Sequence, residues 1–434
     1  MLPSKHNIIS GLNDSEDYFI VNLLSGNADI IGQRKYEEFQ SGNFTDTDEL
    51  IEKGYLSDYE HEKHIYTKKY LDFIDNRESD EVQVFFVPWY SCNFACSYCY
   101  QDEYQSPPSQ ITTDIIDAFF IYLGEKLADK RKYITIFGGE PLLTGGLHKE
   151  IIRYLISEAT LRKIDIALVT NGYNTLNYID ILKLGQIREV QVTLDGTAEV
   201  HNKRRFLRDK SATFQQISDG VDALLANHIP VNLRMVIDRE NIENLPGLAR
   251  YARDKGWTSS AYFKTQLGRN YELHHCQKAN MKLYSRLELY KDLYGLIKKY
   301  PEILDFHKPA FSISKFLFEH GELPDPLFDA CPACKTEWAF DYTGAIYPCT
   351  ATVGKSEERL GTYYPSISMD NKKVCDWEER DVLSIKECAN CSLQLACGGG
   401  CGSVAKNQHG YVQAPDCRPA KDLMRLGISL YQNL

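Results

Sequence analysis

From about residue 82 the chain alternates between two hydrophobic periods. Apolar, β-branched runs (VQVFFV, YITIF, DIALVT, EVQVTL, PVNLRMVI and AYFKTQ) are separated by stretches with helical spacing, such as TTDIIDAFFIYLGEKLADK, LHKEIIRYLISEA and FQQISDGVDALLANH. Strand-length runs alternating with helices predict parallel strands joined by crossover helices. Six such units predict an α/β fold, a partial (β/α)6 TIM barrel, with chemistry at the C-terminal ends of its strands.

The flanks follow other patterns. YFIVNLL and ADIIG flank a Ser-Gly-Asn turn as a hairpin, and RKYEEFQ and TDELIEKGYL follow as short helices. YEHEKHIYTKKYLDFID mixes apolar positions with both charge signs and reads as a solvated linking helix. Residues 279 to about 320 are rich in helix formers and bridge two domains. Beyond Pro324 and Pro326 the chain turns short-stranded, glycine-rich and cysteine-dense, with too little apolar material for a large core. Bound metal clusters would have to organise that part. The expected organisation is a small N-terminal α+β module at 1–80, a barrel with bridging helices at 81–320, and a cysteine-rich cluster-binding domain at 321–434.

Charge and cysteine content narrow the function. Lys plus Arg number 49 against 60 Asp plus Glu, a net charge of −11, which argues against broad nucleic-acid binding. The N-terminal MLPSKHNIISGLND lacks the basic and apolar regions of a signal peptide, and no run of about 18 apolar residues occurs. A cytoplasmic chain with no membrane partner is expected. Its thirteen cysteines cluster at short CX2C-type spacings, which favours metal ligation over disulfides.

The chemistry gathers where strands end. The first barrel strand runs into CNFACSYCY, with Cys92, Cys96 and Cys99 in a CX3CX2C array; the second ends in FGGEP, the third in TNG and the fourth in TLDG. Each of the last three is an ordinary turn by itself, but together they converge on one rim. Three thiolates cannot close a tetrahedral zinc site, yet they can hold three irons of a cubane and leave the fourth open.

On these residues the chain resembles the radical S-adenosylmethionine enzymes, whose hallmark is CX3CXφC with Tyr98 as the aromatic position. The resemblance implies a [4Fe–4S] cluster on Cys92, Cys96 and Cys99, whose free iron is chelated by S-adenosylmethionine. It also implies that Gly138 and Gly139 allow close approach of the methionine moiety and that Glu140 accepts from its ammonium group. Tyr98 would contact the adenine. Thr193 and Arg205, in VTLDGTAEVHNKRR, would serve ribose and carboxylate, with Arg204 able to exchange roles with Arg205. Asn171 and Leu267 would lie near the nucleoside.

The C-terminal cysteines form a second pattern. Cys331 and Cys334 precede WAFDYTGAIYPC, where Thr343-Gly344 suits a hairpin turn and Cys349 ends the motif; Cys388, Cys391, Cys397, Cys401 and Cys417 follow. By spacing alone, eight cysteines could make two zinc ribbons. Beside the first motif they resemble the SPASM extension, which implies two auxiliary [4Fe–4S] clusters, three clusters in all. The resemblance assigns Cys331, Cys334, Cys349 and Cys401 to one, and Cys388, Cys391, Cys397 and Cys417 to the other. Cys276, beside His274 and His275, and Cys375 receive no role.

The extension-bearing branch implies a peptide or protein substrate and an external electron donor such as flavodoxin or ferredoxin. The expected function is hydrogen abstraction from a peptide residue by a 5′-deoxyadenosyl radical, giving a crosslink or other oxidative modification, as in maturation of ribosomally made peptides. Anaerobic sulfatase maturation is the alternative enzyme reading. Those enzymes typically follow YPC with Asp, where this chain has Thr350, and a hydroxyl is no base near neutral pH without an activator. Asp341 is a substitute candidate. The N-terminal module would grip a leader peptide by strand addition. A contrasting reading is a zinc-braced, non-catalytic peptide-binding protein.

Overall fold

The computed structural model describes residues 1–99, 110–269 and 282–433. Fifteen strands follow in chain order. Strand β1 (Leu2–Pro3) pairs with β5 (Leu56–Ser57), and β2 (Asn7–Gly11), β3 (Tyr18–Asn22) and β4 (Asn27–Ile31) form an antiparallel sheet. The hairpin read from the sequence is β3–β4; β2 adds a third strand.

The barrel strands are β6 (Val82–Val87), β7 (Lys132–Ile136), β8 (Asp165–Thr170), β9 (Ile187–Thr193), β10 (Val231–Ile237) and β11 (Phe263–Arg269). They are parallel and lie side by side in chain order. The helix Phe214–Ala226 shows why the outer layer forms: Phe214, Ile217, Val221 and Leu224 recur at helical spacing and are buried. Between sheet and helices the core is continuous, with Phe86, Phe119 and Phe340 in close aromatic contact. Each such buried side chain contributes roughly 1.5–3 kcal/mol.

The barrel does not close on itself. Strand β12 (Glu337–Asp341) pairs in parallel with β6, from Glu337 opposite Gln83 to Asp341 opposite Val87, and β13 (Ala345–Tyr347), β14 (Gly361–Thr362) and β15 (Ser368–Met369) extend the same sheet antiparallel. The expected hairpin turn is present, with Gly344 at φ 84. The cysteine-rich region is therefore built onto the barrel edge.

Nor does that region rely on its own small core alone. Phe328, Val382, Ile385 and Leu395 share one cluster with Phe19 and Val21 of the N-terminal sheet. The helix Tyr59–Ser79 buries no residue fully, as a solvated helix should, yet Tyr66, Tyr70 and Phe73 all pack on Phe328. Tyr70 also donates to Asp381 at 2.7 Å, so this helix braces the N-terminal module against the C-terminal region. No helix among the described residues is long and apolar enough to cross a membrane.

Candidate functional site

The rim is built from turns that fit into one another. Gly139 N–H donates to the Trp89 carbonyl at 3.2 Å, Glu140 N–H to that of Ser91 at 2.9 Å, and the Trp89 indole to the Glu140 carbonyl at 2.6 Å. A Cβ on Gly139 would fall 2.2 Å from the Ser91 carbonyl oxygen, and Gly138 has φ 151. The two glycines line the cavity described below, but their lack of side chain serves first to seat the turn against the loop that carries the cysteines.

Glu140 departs from the expectation. It is fully buried, does not line the cavity, and accepts from Leu142 N–H (2.8 Å), the Thr170 hydroxyl (2.6 Å) and Asn171 N–H (2.6 Å). Burial holds its carboxyl above the usual range, partly offset by these bonds. An anion so surrounded ties FGGEP to TNG, which corrects the ammonium-binding reading for its side chain.

Cys92, Cys96 and Cys99 are half-buried, and all three line the cavity. Their loop is tied to the segment after the fourth barrel strand: Ala95 N–H donates to the Phe206 carbonyl and Ser97 N–H to that of Arg204, both at 2.9 Å. Burial, the nearby Glu140 and then the other two thiols push Cys92 up to about 12. Such thiols release their protons to solvent as they bind a metal as thiolates. The set fits a cubane with one open iron.

The neighbouring Arg pair is sorted by its partners. Arg204 lies against Asp238 at 2.8 and 2.9 Å and Asp195 at 3.4 Å, and does not line the cavity. Arg205 does line it; Nη1 donates to the Tyr98 hydroxyl at 2.7 Å, while Nε is buried without a partner. Tyr98 in turn donates to Asp195 at 2.6 Å. Asp195, of the TLDG motif, also accepts from Val236 N–H at 3.0 Å and so joins two strand ends to the cysteine loop.

Thr193 and Asn171 line the cavity, Asn171 donating to Asn93 at 2.8 Å. Leu267 does not: along β11, Lys264 and Gln266 face the lumen, and the odd-numbered Leu267 packs against the outer core. The Leu267 side chain is thus turned away from the cavity. Asp341 also fails as a base. Its carboxylate accepts from Tyr90, Tyr347, Thr343 and the Ala345 N–H, and it lies outside the cavity. Thr350 does reach the cavity, and its hydroxyl and N–H both donate to Glu337 (3.2 and 2.8 Å).

The cavity occupies about 880 Å³ and runs from the cysteine loop into the barrel. Sequence reading missed its polar lumen, which includes Gln83, Thr135, Gln191, Asn232, Arg234 and Gln266. The available signal was polar residues at every second position within strands read as uniformly apolar.

The C-terminal thiols fall into two neighbourhoods. Burial raises Cys349, with Glu337 next and then Cys331 and Cys401; Cys334 is raised by burial, with Glu378 and Cys331 among the nearby anions. Burial and then Cys397, Cys391 and Cys417 push Cys388 up to about 11. Among the described residues no three His, Cys, Asp or Glu side chains are gathered around a point where one metal ion could sit. Arg380, another residue missed, is fully buried and donates to the carbonyls of Val412, Gly400, Gly399 and Ala414 around these loops. Cys375 is exposed, and Cys276, His274 and His275 lie outside the described residues.

Residues 86–252 match the Radical SAM superfamily. A probable GTP 3′,8-cyclase of Methanocaldococcus jannaschii is 28% identical over 166 residues, 38% of this chain and 53% of that protein. The chain thus spans about half the length of the curated relatives it matches. Native anSMEcpe with bound AdoMet and Cp18Cys peptide superposes with a TM-score of 0.60 at 19% identity, covering 82% of this chain and 100% of that one. Streptococcus suis SuiB bound to precursor peptide SuiA gives 0.53 at 13% identity, covering 96% and 98%. These two show the fold.

Proposed function

We propose, with the radical SAM domain at residues 86–252 as the premise, that this chain is a maturase that abstracts a hydrogen atom from a residue of a peptide or protein. The observation that carries the reading is the joining of the Cys92–Cys96–Cys99 loop to a polar cavity large enough for cofactor and substrate together. Bound at these thiols, a reduced [4Fe–4S] cluster supplies the electron that splits S-adenosylmethionine into methionine and a 5′-deoxyadenosyl radical.

The chain's own residues position the reactants. Arg205 offers its unpartnered Nε to the cofactor carboxylate, Thr193 lies on the same wall for the ribose, and Tyr98 and Asp195 hold the guanidinium in place. The two C-terminal thiol neighbourhoods suit two further clusters of the SPASM kind, each with four protein ligands. Clusters held there would have no open iron for substrate and would supply a route for electron transfer or a brace for the substrate cavity. A crosslink or related oxidation is the outcome.

A peptide substrate is supported by the N-terminal module. Its β2 side is covered, with Asn13 N–H donating to Ser429 of the C-terminal helix at 2.8 Å, while β4 is a sheet edge carrying the exposed Ile30. Leader capture by strand addition at β4 follows. A nucleotide substrate is the second reading, favoured by the relatives named GTP 3′,8-cyclase, whose similarity covers 38% of this chain.

The test is 5′-deoxyadenosine formation by anaerobically reconstituted protein with S-adenosylmethionine and dithionite. The wild type forms it and Cys96→Ala does not, although Cys96→Ala retains its C-terminal iron. Formation by both proteins, or zinc in place of iron in the wild type, overturns the reading. Stimulation by GTP with loss of GTP selects the nucleotide reading.

A further inference from the structure

Arg234 is a cation inside the barrel that no described residue neutralises. It points from β10 into the lumen, level with Thr193 of β9 and Gln266 of β11. Among the described residues it has no ion-pair partner. Its one hydrogen bond runs from Nη1 to Gln191 at a long 3.3 Å, and its buried Nε has no partner. Glu189, an acid lining the same lumen, is engaged: it pairs with Lys264 and accepts from Asn232 Nδ2 at 3.1 Å. A half-buried guanidinium without a counter-ion is costly, and an anionic ligand would offset that cost.

Two neighbours give the site its form. Gly268, on the adjacent strand, leaves room for the guanidinium, since a Cβ there would stand 2.7 Å from Nε and 2.8 Å from Nη2. Asn232, one inward position below Arg234 on β10, is 8% exposed and its Oδ1 accepts from nothing. The lumen therefore presents an unpartnered cationic donor and an unpartnered neutral acceptor two residues apart on one strand face.

We infer that Arg234 and Asn232 form a substrate subsite for a carboxylate beside an N–H group, with the carboxylate on Arg234 and the N–H donating to Asn232. This rests on the proposed radical reading for calling the occupant a substrate. S-adenosylmethionine has a single carboxylate, for which Arg205 carries its own free Nε, so Arg234 is left for a second anion. A peptide supplies the pair either at its C-terminus or at an acidic side chain next to its own amide.

Saturation-transfer NMR on the reconstituted holoenzyme, with S-adenosylmethionine present, tests the inference with three probes. N-acetylglycine represents a C-terminus, N-acetyl-aspartate α-methylamide represents an acidic side chain, and N-acetylglycinamide lacks the charge. One or both carboxylates bind saturably and the amide does not; which one binds tells C-terminus from side chain. Arg234→Gln weakens binding about tenfold or more, the loss of one charge-assisted contact. Arg234→Lys retains part of it. Gly268→Ala, which displaces the guanidinium without removing its charge, weakens binding in the same direction and serves should Arg234→Gln fold poorly.

Affinity for S-adenosylmethionine, measured by equilibrium dialysis, stays within about twofold in all three variants. Equal binding of the amide probe, carboxylate binding unchanged in Arg234→Gln and Gly268→Ala, or stronger competition by inorganic phosphate than by acetate would each overturn the inference. A comparable loss of S-adenosylmethionine affinity would assign Arg234 to the cofactor and overturn it as well. If the wild type binds no S-adenosylmethionine, the radical reading fails, and the carboxylate probes still decide the subsite.

Discussion

Cys92, Cys96 and Cys99 hang from a loop bonded at Ala95 and Ser97 to the 204–206 segment, above a sheet whose helices bury a continuous apolar core. The thiols of the C-terminal region sit in loops with a small core of their own, and the fully buried Arg380 reaches four carbonyls among them. At the rim the polypeptide sets the cysteine positions by itself, because the parallel sheet fixes where each strand ends. In the C-terminal region one guanidinium, the borrowed barrel edge and the Phe328 contact with the N-terminal module take the place of that sheet. The first region rests on the sheet, and the second on a few polar contacts and a borrowed edge.

The largest effect that tests this contrast is expected from Arg380→Met. The substitution keeps a long side chain but strands four buried carbonyls, at a cost of about 3–5 kcal/mol by analogy with breaking a buried charged network. Hydrogen exchange should show residues 398–417 losing protection while residues 82–97 keep theirs, with iron content falling in parallel. Equal loss of protection in both regions would mean that the rim depends on the C-terminal loops for its order, and the contrast would collapse.

At the rim the corresponding test is Glu140→Gln. Three donors converge on this carboxylate, so an amide must set its NH2 against one of them, for a loss of about 1–3 kcal/mol. Melting temperature should fall while affinity for S-adenosylmethionine changes less than in Arg205→Gln, since Arg205 lines the cavity and Glu140 does not. The reverse ranking would restore the carboxylate to the cofactor.

The strands and rim motifs of the barrel were legible because local hydrophobic period and turn chemistry both report on near neighbours in the chain. Residue parity was legible too but went unread: Asn232 and Arg234 in VNLRMVI, and Lys264 and Gln266 in FKTQLGR, fall on alternate positions that line the lumen, and Leu267 lies on the opposite parity. The choice between Arg204 and Arg205 was closed to sequence, since it turns on Asp238, a partner 34 positions away on another strand end. So was the parallel pairing of β12 with β6, a register between residues 337 and 83 that no local pattern encodes. Glu140 was misassigned because its three donors, at 142, 170 and 171, assemble only when two strand ends meet.

The brace between the N-terminal module and the C-terminal region sharpens the comparison further, through acid. His6 is 2% exposed, stacks on Tyr66 with ring centroids 5.4 Å apart, and has both ring nitrogens without a hydrogen-bond partner; Tyr66 in turn packs edge-on to Phe328. Burial, then the charge of Lys5, lowers its pKa to about 4, even with Glu62 at 3.9 Å. Folding therefore requires the neutral ring, while the unfolded chain takes up a proton below its ordinary pKa of 6.5. The contribution is fully present above that value and is lost progressively as pH falls from 6.5 to about 4, amounting to about 2 kcal/mol by pH 5. His6→Phe keeps the stacked ring and removes the titration, so its stability should fall less between pH 7 and pH 5 by that amount. Acid loss of iron acts on both proteins alike and cancels in the difference. Parallel pH profiles would show that the imidazole is protonated without cost in the folded chain, and the brace would then owe its order to Tyr66, Tyr70 and Phe73 alone.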